Sequence, residues 1–255
     1  MRADQLLVER GLAATRSQAQ RLIAAGVRWS DGAQWKPVAK NGDELPPTAA
    51  VELLDSAETR YVSRGGLKLE GALRASGVDP AGRLCLDVGQ STGGFTDCLL
   101  QHGAARVVGV DVGHGQLHPR LRADARVVAI EKVNARQLSA TDLVATCDRP
   151  VRAATTFDLV VGDLSFISLT LVLPALVPLL ARGGELLMLA KPQFELQPHQ
   201  LGKGGIVRDA SLYAEVEQRL RGACAELGLQ VKGWYDSPIT GGDGNREFFL
   251  FASPS

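Results

Sequence analysis

No apolar run in this 255-residue chain approaches the ~18 residues that a membrane-spanning helix needs, and Met1-Arg2-Ala3-Asp4-Gln5 is followed by no signal-peptide core. A membrane protein is not expected, and a cytoplasmic location is. The four cysteines, Cys85, Cys98, Cys147 and Cys224, show no C-x-x-C spacing, so they read as reduced thiols and not as disulfides or zinc ligands. His114 and His118 could share a helix face, but Pro119 follows and no acidic third ligand is near, so no metal site is expected. Internal repeats and low-complexity tracts are also lacking. So is net charge: 28 Lys and Arg balance 28 Asp and Glu. That balance says nothing about nucleic acid until the charge is divided along the chain. Residues 1–30 carry Arg2, Arg10, Arg16, Arg21 and Arg28 against only Asp4 and Glu9, a basic module on a neutral body.

What is present is the composition of a globular protein. With 45% hydrophobic and 22% charged residues, the chain can bury one full α/β core and has length left for a small second unit. The small unit comes first and spans residues 1–57. A short helix with the apolar pair Leu6-Leu7 stops at Gly11. A second starts at Ser17, where Ser17-Gln18-Ala19-Gln20 has the form of a capping box, and ends at Gly26. Arg16 and Arg21 fall on its solvent side. Strands Val27-Arg28-Trp29 and Val51-Glu52-Leu53-Leu54 follow, the first leading into an Asp31-Gly32 turn.

After a connector at residues 58–62, the larger domain runs over 63–255. Apolar strands are expected at Leu84–Val88, Arg106–Val112, Val127–Glu131, Phe157–Asp163, Glu185–Leu189, Gln230–Tyr235 and Glu247–Ala252. Alternation with helices implies a mostly parallel sheet covered on both faces, with ligands beyond the carboxyl ends of its strands. Leu169–Leu180 reads as a core helix despite Pro174 and Pro178. The most informative stretch runs from Leu84 to Asp97, where a buried strand carrying Asp87 enters a turn with Gly89, Ser91, Gly93 and Gly94, then a helix opening at Phe95. These glycines fit a dinucleotide fingerprint poorly and the looser loop of S-adenosylmethionine (SAM) methyltransferases better, because no pyrophosphate needs cradling there. Asp111 ends the next strand at the distance where such folds place the carboxylate that holds a ribose diol.

Four further charges fall at chain ends that this architecture brings together: Lys68, Asp163, Lys191 and Glu247. Taken singly, each reads as well as a solvent-facing strand-end charge; all four at one end of the sheet do not. A ribose hydroxyl is a weak nucleophile, and a nearby ammonium favours its alkoxide, while carboxylates orient the lysines.

The runs Ser63-Arg64-Gly65-Gly66-Leu67-Lys68, Asp87–Asp97, Asp111–Leu117, Asp163–Ser168, Lys191–Glu195, Gly204–Asp209 and Gly244–Glu247 together resemble the TlyA family. Residues 2–54 separately resemble the S4 RNA-binding domain. The resemblance implies a Rossmann-like SAM methyltransferase domain of FtsJ type, with a seven-stranded, mostly parallel sheet, behind a small S4 α+β domain. It further implies 2′-O-methylation of cytidine in ribosomal RNA, with Lys68, Asp163, Lys191 and Glu247 as the catalytic tetrad. Glu131 and Asn134 become candidates for the adenosine end of the cofactor, beside Asp87, Gly89, Ser91, Gly93, Gly94, Phe95 and Asp111. Arg2, Arg16, Arg21, Arg64 and Lys203 become candidates for RNA contact, and Phe166 and Phe194 either face the target base or belong to the core. Gln90 stands where the family usually has a small residue, which predicts crowding or a new hydrogen bond at the methionine end of the cofactor. Ribosomal RNA or a ribosomal subunit is the expected partner; DNA and membranes are not, and a monomer is expected. Two alternatives stay open: a base N-methyltransferase, from the outline of Asp163-Leu164-Ser165-Phe166, and a membrane-active protein, since family members have been called hemolysins.

Overall fold

The computed structural model describes residues 1–13, 15–54, 60–145 and 156–255, in two compact units, Met1–Arg64 and Gly65–Ser255. Cys147 and part of the expected connector, Glu58 and Thr59, lie outside the described residues.

The first unit packs helices Ala3–Glu9 and Arg16–Gly26 with strands β1 (Val27–Ser30), β2 (Trp35–Pro37) and β3 (Ala50–Leu53). Its antiparallel sheet has the order β2-β1-β3. Leu6, Leu7, Leu22, Ile23 and Val27 form the core. The second helix is capped two residues earlier than the capping-box pattern places it. Thr15 has extended backbone and its hydroxyl accepts the Gln18 N–H at 3.2 Å, so Ser17 lies inside the helix. Asp4 is fully buried at 0% exposure. Arg2 Nε meets it at 3.0 Å, an Arg16 terminal nitrogen at 2.9 Å and Gln20 Nε2 at 3.3 Å. Hydrogen bonding from Arg2 first, then from Arg16 and Gln20, holds this carboxyl well below the usual range against the cost of burial. Two arginines expected to be free for RNA are therefore already fixed at one end by an internal carboxylate.

In the second unit, seven strands form one sheet: β4 (Leu84–Val88), β5 (Arg106–Asp111), β6 (Val127–Glu131), β7 (Phe157–Gly162), β8 (Leu180–Ala190), β9 (Leu229–Asp236) and β10 (Phe248–Pro254). Their order is β6-β5-β4-β7-β8-β10-β9. β6 through β8 pair in parallel, whereas β10 runs antiparallel to both neighbours. That reversal carries the start of β10 to the edge where the parallel strands end, with Phe248 opposite Ala190. The strand order also departs in opposite directions from β4 and β7, which opens a crevice beyond their carboxyl ends. The core lies on both faces: Leu86, Val108, Val160, Leu186 and Leu250 with Leu173 on one, and Cys85, Val107, Leu159, Leu187 and Phe249 on the other. Cys85, Cys98 and Cys224 are free and buried in it, and burial pushes the Cys224 thiol up to about 11.

The continuous helix expected at Leu169–Leu180 is not formed. A 3-10 turn (Leu169–Leu171), one helical turn (Leu173–Leu176) and another 3-10 turn (Val177–Leu179) replace it, and Leu180 already belongs to β8. Pro174 and Pro178 each lack an N–H and sit in the first positions of separate turns, where none is needed.

The Asp4 cluster yields a test of the first unit. Asp4→Asn should lower its resistance to urea at pH 7 and flatten its acid limb, because a carboxyl held below its unfolded value loses its contribution progressively as pH falls below about 4 toward the lower folded value. Unfolding curves with the same midpoints and the same pH dependence as the parent would contradict this role.

Candidate active site

Four elements deliver the tetrad. Lys68 stands one turn inside the helix Gly65–Ser76, Asp163 directly follows β7, Lys191 directly follows β8, and Glu247 directly precedes β10. Asp163 and Lys191 are placed by strand ends alone, Lys68 comes from a helix, and Glu247 arrives because β10 is reversed. Lys68 Nζ lies 2.5 Å from Glu247 Oε2, and Lys191 Nζ lies 2.5 Å from Asp163 Oδ1. Lys191 Nζ also donates to Ser165 Oγ at 2.9 Å. Burial raises the Glu247 carboxyl, Lys68 and then Lys191 pull it back, and the Asp163 charge adds to the rise. The two pairs thus act on one another as one cluster. Stripping one partner from such a buried pair leaves an uncompensated charge, so each pair holds the other's position.

Beside this cluster a cavity of about 510 Å³ opens between the ends of β4, β5 and β7. Gly89, Ser91, Asp111, Asn134 and Asp163 are among its walls. Gly89 has φ +84°, and a Cβ there would stand 2.7 Å from the Asp163 carbonyl oxygen, so only glycine lets the two loops approach this closely. Asp111 is fixed by accepting the Ser91 and Gly113 N–H groups, each at 2.7 Å. Asp87 is buried, with Oδ2 accepting the Thr96 hydroxyl at 2.6 Å and Oδ1 without a hydrogen-bond partner. Burial lifts the Asp87 carboxyl to about 7; the Thr96 hydrogen bond opposes this and the Asp163 charge assists it. A glycine cradle and a fixed carboxylate on one cavity suit a ribose-bearing ligand, whereas Asp87 is fully buried and is not one of the cavity walls.

Not every expected cofactor residue lies on this cavity. Phe95 is buried and stacks on Phe249 with centroids 6.0 Å apart, so it belongs to the core. Gly93, with φ +95°, opens the helix Gly94–Gln101, and a Cβ there would meet Leu121 at 2.4 Å and Leu117 at 2.7 Å. The Gly93 requirement is therefore one of packing. Glu131 does not line the cavity; its Oε1 accepts the Gly115 N–H at 3.0 Å and pairs with Arg122 at 2.5 Å, which steadies the Gly115 turn. Asn134 does line the cavity, while its side chain caps Ala135–Gln137 by accepting the Arg136 N–H at 3.0 Å. Gln90 does not reach toward the cofactor end. It is buried, donates to Thr96 Oγ1 at 2.9 Å, and fills the space above Gly109, where a Cβ would lie 2.0 Å from its amide.

Phe166 is not core: it is 90% exposed, its ring centroid is 5.1 Å from that of Phe194, and it has φ +64°. That backbone region costs a non-glycine residue on the order of 1–3 kcal/mol and persists only where the surroundings enforce it. Lys203 is exposed in the turn Lys203–Gly205, which Asn245 ties down by donating to the Gly205 carbonyl at 3.1 Å and accepting the Val207 N–H at 2.9 Å. Arg64 closes the first unit. Three participants were not singled out from sequence: Ser165 on Lys191, Thr96 on Asp87, and Gln116, which accepts the Ser91 hydroxyl at 3.2 Å on the cavity wall. A hydroxyl or amide in a loop carries no periodicity signal. Among the described residues no cluster of three metal-ligating side chains occurs.

The family model for FtsJ-like methyltransferases matches residues 61–253. The 16S/23S rRNA (cytidine-2′-O)-methyltransferase TlyA of Mycobacterium tuberculosis is 46% identical over 250 residues, covering 98% of this chain and 88% of the relative. Hemolysin A of Brachyspira hyodysenteriae is 36% identical over 248 residues, covering 97% and 98% respectively. The solved structure of a candidate hemolysin from Streptococcus thermophilus superposes with a TM-score of 0.75 at 38% identity, covering all of this chain and 88% of that one.

Asp87 gives the site a pH signature. With its carboxyl raised to about 7 in the folded protein, the native state holds a proton that the unfolded chain releases from about pH 4 upward. Without ligand, stability should fall between about pH 4 and about pH 7 by on the order of 4 kcal/mol and then level off. Asp87→Asn should remove that decline in urea unfolding at pH 5 and pH 8; parallel pH curves for the two proteins would contradict the assignment.

Proposed function

The chain belongs to the FtsJ-like methyltransferase family, and on that premise we propose that it transfers the methyl group of SAM to the 2′-hydroxyl of cytidine in ribosomal RNA. The observation that carries this reading is the pair of lysine–carboxylate contacts, Lys191–Asp163 and Lys68–Glu247, at the crevice beside the cavity. A cluster of this kind suits an alcohol. An ammonium held against a hydroxyl favours its alkoxide by direct charge attraction, and Asp163 and Ser165 fix the Lys191 amine for that task. An exocyclic amine would need a free acceptor instead. The Asp163 carboxylate is committed through Oδ1 to the Lys191 ammonium, a pairing that suits an alcohol better than an amine.

The cofactor supplies an electrophilic methyl group on a sulfonium when bound. On the protein side, Asp111 holds the ribose diol and Asn134 borders the adenosine end. The methyl donor and the tetrad are then side by side, so that the remaining contribution of the protein is alignment.

RNA is assigned to the first unit as an S4-like module. Arg2 and Arg16 leave 43% and 54% of their side chains exposed while Asp4 fixes their inner edges. Guanidinium groups held in this way meet phosphate with less entropy to lose. The relatives named for hemolysis do not change the reading, since among the described residues no helix is long and apolar enough to cross a membrane.

The test pairs two variants. Lys191→Ala should abolish methyl transfer from labelled SAM to ribosomal RNA, by about 100-fold or more, while calorimetric SAM affinity stays near that of the parent. Asp111→Ala should weaken SAM binding first. Full turnover in Lys191→Ala would remove Lys191 from the mechanism, and unchanged SAM affinity in Asp111→Ala would refute its role at the ribose.

A further inference from the structure

The loops after β7 and β8 carry Asp163 and Lys191, and they are joined a second time at their far ends. Glu195, the last residue of the short helix Pro192–Glu195, is 3% exposed. Its Oε2 accepts the Ser168 hydroxyl at 2.5 Å and its Oε1 accepts the Leu169 N–H at 2.7 Å. Arg219 of the helix Ser211–Glu226 donates to the Glu195 carbonyl at 2.5 Å and so anchors the clamp to a long element of the fold. Ser168 also accepts the Thr170 N–H at 3.2 Å, which fixes the direction of its hydroxyl.

We propose that Glu195 is a positioning residue for methyl transfer: by clamping Ser168 and Leu169 it fixes the loop that presents Asp163 and Ser165 to Lys191. The segment between the two ties is Leu164–Ile167, and it contains Phe166 in its left-handed conformation. Such a turn relaxes when one of its ends is freed. Ser165 lies immediately before Phe166, so relaxation would move the hydroxyl that Lys191 Nζ holds at 2.9 Å. Glu195 itself has no route to the reacting atoms; its two oxygens are both engaged by the neighbouring loop. A buried carboxylate that only filled the core would be replaceable without kinetic effect. This one links the two strand ends on which the chemistry depends.

The inference rests on the reading of Lys191 as the group that serves the hydroxyl. If that reading fails, Lys191→Ala keeps the parent turnover whatever Glu195→Ala does, so the two failures are distinguishable. The experiment measures kcat at saturating SAM and ribosomal RNA for Glu195→Ala, Glu195→Gln and Ser168→Ala in the full chain, well below each unfolding midpoint. Glu195→Ala should lower kcat about 10- to 100-fold, the loss expected from displacing a catalytic group by about 1 Å. Glu195→Gln should recover most of that loss, because its oxygen still accepts from Leu169 and its amide can donate to Ser168. Ser168→Ala should fall between them. Parent kcat in a folded Glu195→Ala would overturn the proposal, as would a Glu195→Gln no better than Glu195→Ala, which would show that charge and not the clamp is required. Should Glu195→Ala fail to fold, parent kcat in Ser168→Ala would overturn it equally.

Discussion

Two ammonium groups cannot be held at the end of an apolar sheet unless two carboxylates meet them there, and the arrangement of the second unit follows from that constraint. Asp163 and Lys191 reach each other because β7 and β8 are parallel neighbours that end together. Lys68 comes from the helix Gly65–Ser76, ahead of the sheet, and its partner must come from the last strand. A parallel last strand would put Glu247 at the opposite edge; the reversed β10 puts it next to Lys191. Strand direction thus decides which charges meet at this edge.

On the proposed reading the same edge accepts the cofactor, and the demands of the two tasks meet at Gly89 and Asp163. The Gly89 backbone packs against the Asp163 carbonyl closely enough to exclude a Cβ, which brings the cofactor loop and the tetrad to a common wall. Behind that wall, Gln90, Thr96 and Asp87 form a hydrogen-bonded row. One end of the row fills the gap over Gly109, and the other leaves Asp87 Oδ1 unbonded. Burial without a full set of partners destabilises the charged carboxyl, which is why Asp87 holds its proton to higher pH.

Much of this was legible in the sequence because it depends on strand ends. Apolar runs of four to eight residues mark strands whichever way they run, and a charge that closes such a run is conspicuous. Asp111, Asp163 and Lys191 close such runs and Glu247 opens one, while Lys68 stands just ahead of the first and Gly89 in the turn that follows it. What escaped depends on side-chain direction or on a competing partner. Gln90 looked like a group aimed at the cofactor because nothing in the chain announces the space above Gly109. Glu131 and Phe95 sit beside motif residues in sequence but are claimed by Arg122 and Phe249. Arg2 and Arg16 counted as basic surface until the buried Asp4 appeared between them. At Leu169–Leu180 hydrophobicity suggested one helix, and two prolines without N–H groups divided it into three turns.

The most direct test of the central claim, that two lysine–carboxylate pairs serve a ribose hydroxyl, is the position of the transferred methyl group. Ribosomal RNA treated with the protein and labelled SAM would be digested to nucleosides and mapped by mass. The account predicts the label on the ribose of cytidine, with the phosphodiester on its 3′ side resistant to alkali because no free 2′-hydroxyl remains to attack it. A methyl group on the base would contradict it.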